Sequence, residues 1–166
     1  QRVLSAGGAW LVPKPLNKYL LIKHFRERDL PTASNSHTVL LAEDNEWNVV
    51  AIKEYLESYK YKVIVARDGI EAIENAVIHK PSVILMDIQM PRMDGYTATT
   101  HIRRDTRWQH LPIIAMTASA LVTDREQALQ AGMNDHVPKP LDVQQMFTVI
   151  ERWVKVGRLA AQRNTR

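Results

Sequence analysis

Five short apolar runs, separated by stretches of helical spacing, organise residues 38 to 156. The runs are Val39 to Ala42, Val63 to Ala66, Val83 to Met86, Ile113 to Met116 and a brief one at His136-Val137. Each is continuous rather than alternating and ends in polar or turn-forming residues, which predicts strands buried on both faces. Between them apolar residues recur three and four positions apart: Val49, Ile52, Leu56 and Tyr59; Ile70, Ile73 and Val77; Leu121 to Leu129; and Val143, Met146, Phe147, Ile150 and Val154. Strand and helix in alternation predict an α/β domain, a doubly wound five-stranded parallel sheet with helices on both faces. Asp68, Asp94 and Asp142 stand where helix N-caps or first-turn acids belong, and Met86, Met116 and Met146 fall at core positions.

Residues 1 to 29 do not open like a domain. Leu4, Ala6 and Gly7 recur as Leu129, Ala131 and Gly132, and Val12-Pro13-Lys14-Pro15-Leu16 recurs as Val137-Pro138-Lys139-Pro140-Leu141, at a constant offset of 125 with 8 of 13 aligned positions identical. The spacing is one domain length, so residues 1–29 are expected to be the C-terminal remnant of a preceding copy, 30–37 a linker and 38–156 a complete copy. Within the remnant, Tyr19-Leu20-Leu21-Ile22 places apolar groups on nearly every side of a helix. An extra N-terminal helix over 17–28 is therefore expected to pack on an apolar surface, as in a homodimer with a second chain.

Composition narrows the partners. The 166 residues carry a net charge of +4, but the charge is segregated: +4 over residues 1–37, −5 over 38–151 and +5 over 152–166. The domain proper is acidic and shows no basic stripe interleaved with aromatics, so direct nucleic-acid binding is not expected. The basic stretch 157–166 is expected to be a tail or linker. Absence of cysteine excludes disulfides, thiolate metal sites and a thiol nucleophile, and it accords with a cytoplasmic setting. No run approaches the roughly 18 apolar residues of a membrane span, so no membrane contact is expected of this fragment.

The candidate chemistry lies where the predicted strands end. The first ends in Glu43-Asp44, the third in Asp87, the fourth in Thr117 and the fifth at Lys139. In a parallel sheet of order 2-1-3-4-5 these ends share one edge, and strands one and three are neighbours at the switch point. A lone Asp at a strand end more often just starts a turn, but here three carboxylates converge and face a hydroxyl and an ammonium. Oxygen donors without His or Cys favour a hard cation, Mg²⁺ rather than a Ca²⁺ cage. A carboxylate nucleophile, a divalent ion, a Lys and a hydroxyl around one position are the parts that phosphoryl transfer requires.

Glu43-Asp44-Asn45, Met86-Asp87-Ile88-Gln89-Met90-Pro91-Arg92-Met93-Asp94-Gly95, Pro112-Ile113-Ile114-Ala115-Met116-Thr117-Ala118 and Lys139-Pro140 resemble the four signature blocks of two-component receiver domains, over about residues 38 to 156. The wording is closest to receivers of hybrid sensor histidine kinases. The resemblance implies a flavodoxin-like (CheY-like) fold and a phosphoacceptor Asp87. It implies Mg²⁺ held by Asp44, Asp87 and the backbone carbonyl of Gln89, with Glu43 acting through water. It also implies a switching hydroxyl at Thr117, a phosphate-binding Lys139, a rotating aromatic three residues earlier, and a histidine kinase or histidine phosphotransfer domain as partner. Glu43 stands where Asp is frequent and His136 where Tyr or Phe is frequent; His136 reads equally as a polar switch residue or a plain surface histidine. Such a module catalyses its own phosphorylation and dephosphorylation and is not a stand-alone enzyme. Two other readings stand beside it. A dehalogenase-like phosphatase wants an Asp two residues after the nucleophile, where Gln89 stands, and a degenerate scaffold wants a block missing, where none is.

Overall fold

A computed structural model describes residues 37–118 and 121–164. The expectations for residues 1–29, for most of the linker and for the helix over 17–28 lie outside the described residues. The elements run β1 (Thr38–Ala42), α1 (Glu46–Ser58), β2 (Lys62–Ala66), α2 (Gly69–His79), β3 (Val83–Asp87), α3 (Gly95–Arg104), a 3₁₀ turn (Thr106–Trp108), β4 (Ile113–Thr117), α4 (Val122–Ala131), β5 (Asp135–Pro138) and α5 (Val143–Asn164). The strands are all parallel in the order β2-β1-β3-β4-β5, with β1 seated between β2 and β3.

The continuous apolar runs are central strands: every residue of β3 and of β4 is buried. Alternate strand residues serve opposite faces. Leu40, Ala42, Ala66, Ile84, Met86, Ile113 and Ala115 meet α2, α3 and α4 in one cluster that also contains Ala72, Ala76, Ala98 and Ala128. The opposite face is built from larger groups, with the Tyr59 and Phe147 rings tilted at 35° and their centroids 4.4 Å apart, and Tyr55 and Tyr61 about them. Met86, Met116 and Met146 are fully buried, and Asp68, Asp94 and Asp142 accept backbone N–H bonds at the starts of α2, α3 and α5.

Three details depart from the sequence pattern. In α2 the buried face is Gly69, Ala72 and Ala76, whereas Val77 is 46% exposed. Small side chains let that helix lie close to the sheet, where its neighbours Ala42 and Ala66 are also small; Ile73 packs partly buried against the same cluster, and Val77 and Ile78 turn outward. In α4 only Ala128 is buried, and Leu121 and Leu129 face solvent. Finally, residues 157–164, expected as a tail or linker, continue α5 without a break. That stretch, Gly-Arg-Leu-Ala-Ala-Gln-Arg-Asn, is rich in strong helix formers, and the docked turns before it have already met the cost of nucleation.

Partly buried Arg103 fixes the connection that leads into β5. Its Nε donates to Gly132 O (2.8 Å), Nη1 to Trp108 O (2.6 Å) and Nη2 to Asn134 Oδ1 (2.8 Å). Burial pushes its pKa down. Asn134 Oδ1 also accepts from Ile113 N–H at 2.8 Å, so Arg103 and Asn134 together tie the α3–β4 and α4–β5 connections to the start of β4.

Candidate functional site

The carboxyl ends of β1, β3, β4 and β5 converge on a cavity of about 680 Å³ lined by Glu43, Asp44, Asp87, Gln89, Thr117 and Lys139 among others. Adjacency of β1 and β3 sets the carboxylates side by side: Glu43, Asp44 and Asp87 each offer an oxygen within 4.8 Å of the other two. Two unit charges at that separation repel by about 3.5 kcal/mol at an effective dielectric of 20. Lys139 offsets part of this, with Nζ 3.1 Å from Glu43 Oε2 and 3.1 Å from Asp87 Oδ2. Burial by itself would lower the Lys139 pKa, but the hydrogen bond and charge of Asp87, with the charge of Glu43, hold it above the ordinary lysine value.

Glu43 is completely buried, so each of its oxygens needs a partner. Oε1 accepts from Asn45 N–H at 3.0 Å, and Oε2 accepts from Asn48 Nδ2 at 3.4 Å besides facing Lys139. Asn45 in turn caps α1, its Oδ1 accepting from Trp47 and Asn48 N–H. The tight turn leaves Asp44 exposed at the mouth of the cavity. Asp87 is 4% exposed, and its Oδ1 accepts from Gln89 N–H at 3.3 Å. Thr117 is equally enclosed, yet its hydroxyl has no partner among the described residues. Beside it, Lys139 N–H donates to Thr117 O at 2.6 Å, ahead of a cis Lys139–Pro140 bond.

The loop from Ile88 to Asp94 is held at both ends. At one, Gly95 N–H donates to Ile88 O at 2.9 Å, and a Cβ on Gly95 would lie 2.3 Å from the Asp87 carbonyl oxygen, so only glycine permits the approach. At the other, Gly69 N–H donates to Met93 O at 3.0 Å, and Arg92 binds Asp68 through Nη2 and through Nε at 2.7 Å. Burial would raise the Asp68 carboxyl, but the Glu71 backbone N–H and the Arg92 guanidinium hold it below the usual carboxylate range.

The geometry brings together Glu43, Asp44, Asp87, Gln89, Thr117 and Lys139. His136 is not among the cavity-lining residues: its ring is partly buried beside Asp135, with Nδ1 3.8 Å from Asp135 Oδ1. Asp135 also accepts from Trp153 Nε1 at 2.9 Å. Sequence reasoning missed Asn48 as a partner of Glu43, and Tyr96 and Asp124 on the cavity wall. Burial, then the charges of Asp124 and Asp94, raise the Tyr96 phenol pKa. Asn48, three residues past a capping Asn, carried a faint signal; Tyr96 and Asp124 carried none, because they reach the cavity only through the placement of α3 against α4. Three clustered carboxylates against one ammonium leave a net negative site whose donors, all oxygen, fit a hard divalent cation.

Residues 39–151 match the response regulator receiver domain family. The chain is 35% identical over 117 residues to the polar-differentiation response regulator DivK of Brucella anthropi, covering 70% of this chain and 95% of that protein, and equally so to DivK of Brucella ovis. Among solved structures it is similar to the receiver domain of a sensor histidine kinase from Pseudomonas aeruginosa, described with a magnesium ion coordinated in its active site cleft. That likeness has 41% identity and a TM-score of 0.68, and covers 73% of this chain and 99% of the other. It is also similar to the signal receiver domain of a signal transduction histidine kinase from Syntrophus aciditrophicus, at 25% identity and a TM-score of 0.67, covering 72% and 91% of the two chains.

Proposed function

The chain belongs to the response regulator receiver domain family of two-component signalling, and from that premise we propose that it takes a phosphoryl group from a phosphohistidine onto Asp87. An Asp87 carboxylate oxygen attacks phosphorus, the P–N bond breaks, and its electron pair leaves with the donor imidazole, which takes up a proton; the product is an acyl phosphate. Lys139, already 3.1 Å from Asp87, neutralises charge on the transferred group. The Thr117 hydroxyl supplies a hydrogen bond to it. The observation that carries this reading is that hydroxyl, buried and without a partner among the described residues, on the same cavity as a carboxylate. A buried polar group left unpaired is costly, and an incoming phosphoryl oxygen is the partner it lacks.

Glu43, Asp44 and Asp87, with the Gln89 carbonyl, would hold Mg²⁺, and the oxygen-only donor set supports that ion. When bound, the ion supplies positive charge against the phosphoryl oxygens. Thr117 drawn toward the new acyl phosphate would vacate space for the His136 ring to turn inward, a shift between two packings.

The donor is a histidine kinase or a histidine phosphotransfer domain. Trp47, 84% exposed on the first turn of α1 and next to the capping Asn45, is a ready anchor for it. Likeness to a receiver of a sensor histidine kinase, together with the sequence repeat at offset 125, supports a hybrid histidine kinase as the parent chain, with residues 1–29 the end of an earlier receiver. Such a domain would work in the cytoplasm and is not an enzyme by itself. The test is Asp87→Asn: labelling by a phosphohistidine donor should vanish while the far-ultraviolet circular dichroism spectrum is kept. Acid-stable, base-labile phosphate appearing on the variant at the unaltered rate would overturn the assignment.

A further inference from the structure

Gln89 serves the site through two main-chain groups. Its N–H donates to Asp87 Oδ1 at 3.3 Å, while Lys139 takes Oδ2, and its carbonyl is one of the donors assigned above to the ion. Because both groups belong to the backbone, the path of the loop from Ile88 to Asp94 decides where they lie. That path includes a residue held against its preference. Arg92 sits at φ 62°, in the left-handed region that a residue with a Cβ enters at a cost, and Met93 N–H closes a tight turn around it onto Pro91 O at 2.6 Å.

Two tethers keep the turn in place, and both come from the start of α2. Gly69 N–H donates to Met93 O at 3.0 Å, and a Cβ on Gly69 would lie 2.7 Å from that oxygen, so the two backbones meet closely. Asp68 supplies the other. Its Oδ1 accepts from Glu71 N–H at 2.9 Å, which fixes the carboxylate on the helix end, and its Oδ2 accepts from Arg92 Nε at 2.7 Å and from Nη2. Exposure is divided unequally in this pair: the Asp68 side chain is 4% exposed and that of Arg92 is 60% exposed. An ion pair between two exposed groups contributes little, but an enclosed carboxylate needs its cation. Among the described residues Arg92 is the cation paired with Asp68, so the loop cannot swing away without stranding a buried charge.

On the phosphoacceptor reading above, we propose that Asp68 and Arg92 are positioning residues for the metal. The pair pins the loop to α2 and thereby sets the Gln89 carbonyl against the ion and the Gln89 N–H against Asp87. Neither residue lines the cavity, so each acts only through the loop. Groups that orient metal ligands from behind commonly change affinity by about 10–100-fold when lost; with Arg92 mostly in water, the expected loss is about three- to tenfold.

The test titrates Mg²⁺ into the full chain while the Gln89 and Gly95 amide resonances are followed by ¹H–¹⁵N spectroscopy. Asp68→Asn keeps a cap on α2, and Arg92→Met keeps a Cβ and so the same backbone preference. Each should raise the Mg²⁺ Kd about three- to tenfold, and the double variant should go no further, since one link is broken in all three. Acyl-phosphate formation from a small-molecule donor should be slow at limiting Mg²⁺ and recover as Mg²⁺ saturates. Arg92→Lys, which retains the charge, should fall between Arg92→Met and the unaltered protein. Arg107→Met removes the exposed Arg107–Asp105 pair and should leave the Kd unchanged, as a control for the loss of any ion pair. Asp68→Asn or Arg92→Met binding Mg²⁺ within about twofold of the unaltered protein overturns the proposal. So do effects that multiply in the double variant, or a loss of affinity in Arg107→Met as large as in Arg92→Met. Asp44→Asn separates the clamp from the site itself. If it weakens Mg²⁺ and the Asp68 and Arg92 variants do not, the clamp fails and the site stands; if it binds Mg²⁺ as the unaltered chain does, the site reading fails and takes the proposal with it.

Discussion

Replacing Lys139 by Met keeps the length of the side chain and removes the ammonium that stands between two enclosed carboxylates. At 3.1 Å each contact is worth about 5 kcal/mol at an effective dielectric of 20 before desolvation is counted. Lys139 is 25% exposed, so water screens part of that attraction, and its own transfer from solvent offsets more. What remains after the substitution is Glu43, fully buried, and Asp87, nearly so, with repulsion of about 3.5 kcal/mol at the stated separation and dielectric. Removing one partner of such a pair costs about 3–5 kcal/mol when fully buried, so we expect a loss of roughly 2–4 kcal/mol here and a fall in Tm of about 8–15 °C in EDTA at pH 7. Magnesium should reverse much of the loss, because a cation that binds only the folded state stabilises it by about 2.7 kcal/mol at a hundred times its Kd, and the variant lacks the competing ammonium. The pH dependence has a definite sign. In the unaltered protein Lys139 has a raised pKa, so its contribution is complete below the ordinary lysine pKa and is lost as pH rises through the higher folded value. Thermal melts with EDTA and with MgCl₂ at several pH values measure all of this. A Lys139→Met protein that melts within about 2 °C of the original in EDTA, or that gains no more from magnesium, would refute the picture of one electrostatically coupled cluster.

Gly95→Ala forces a methyl to within 2.3 Å of the Asp87 carbonyl oxygen; denaturant unfolding should show a loss of about 2–3 kcal/mol or more, with slower phosphorylation because the strand end that carries the nucleophile must move. Asp68→Asn keeps an N-cap for α2 but loses the charge opposite Arg92. Since the Asp68 pKa is depressed in the fold, its contribution is present above the ordinary Asp pKa and lost as pH falls through the lower folded value, so the variant should be about 1 kcal/mol less stable at pH 7 and equal to the original at the acid end of a urea series. Gln89 offers no general base to water at the cavity, so the acyl phosphate should be long-lived, and Gln89→Glu should shorten its half-life at least severalfold in a loss-of-label assay.

Strand positions were legible because burial on both faces leaves no room for polar residues, and the runs around Ile84 and Ile114 say so without help from tertiary structure. Strand ends were legible for the same reason, since Glu43, Asp87 and Lys139 are the first charges after those runs. Less could be read where burial is achieved by small groups. Ala72 and Ala76 are silent in a pattern of large apolar residues, while Val77 next to them imitates a core position and only Ile73 of that stripe packs against the core. Arg103 carried no signal in the sequence, because its acceptors Gly132 O, Trp108 O and Asn134 Oδ1 come from segments that only the fold assembles. The flanking position Ser119, expected beside the route of an attacking water, lies outside the described residues.

The order β2-β1-β3-β4-β5 has a consequence for a chain still being made. Glu43 and Asp44 leave the ribosome early, Asp87 later, and Lys139 after four strands have already emerged. An intermediate with only β1 and β3 paired would hold three mutually repelling carboxylates without their ammonium and without the Thr117 hydroxyl, a poor acceptor of any phosphoryl group. Non-local pairings of this kind also form late, since each must first overcome the entropy of closing its loop. On the proposed function, a copy would become able to accept a phosphoryl group only when its last strand has docked, and a half-built one would stay mute.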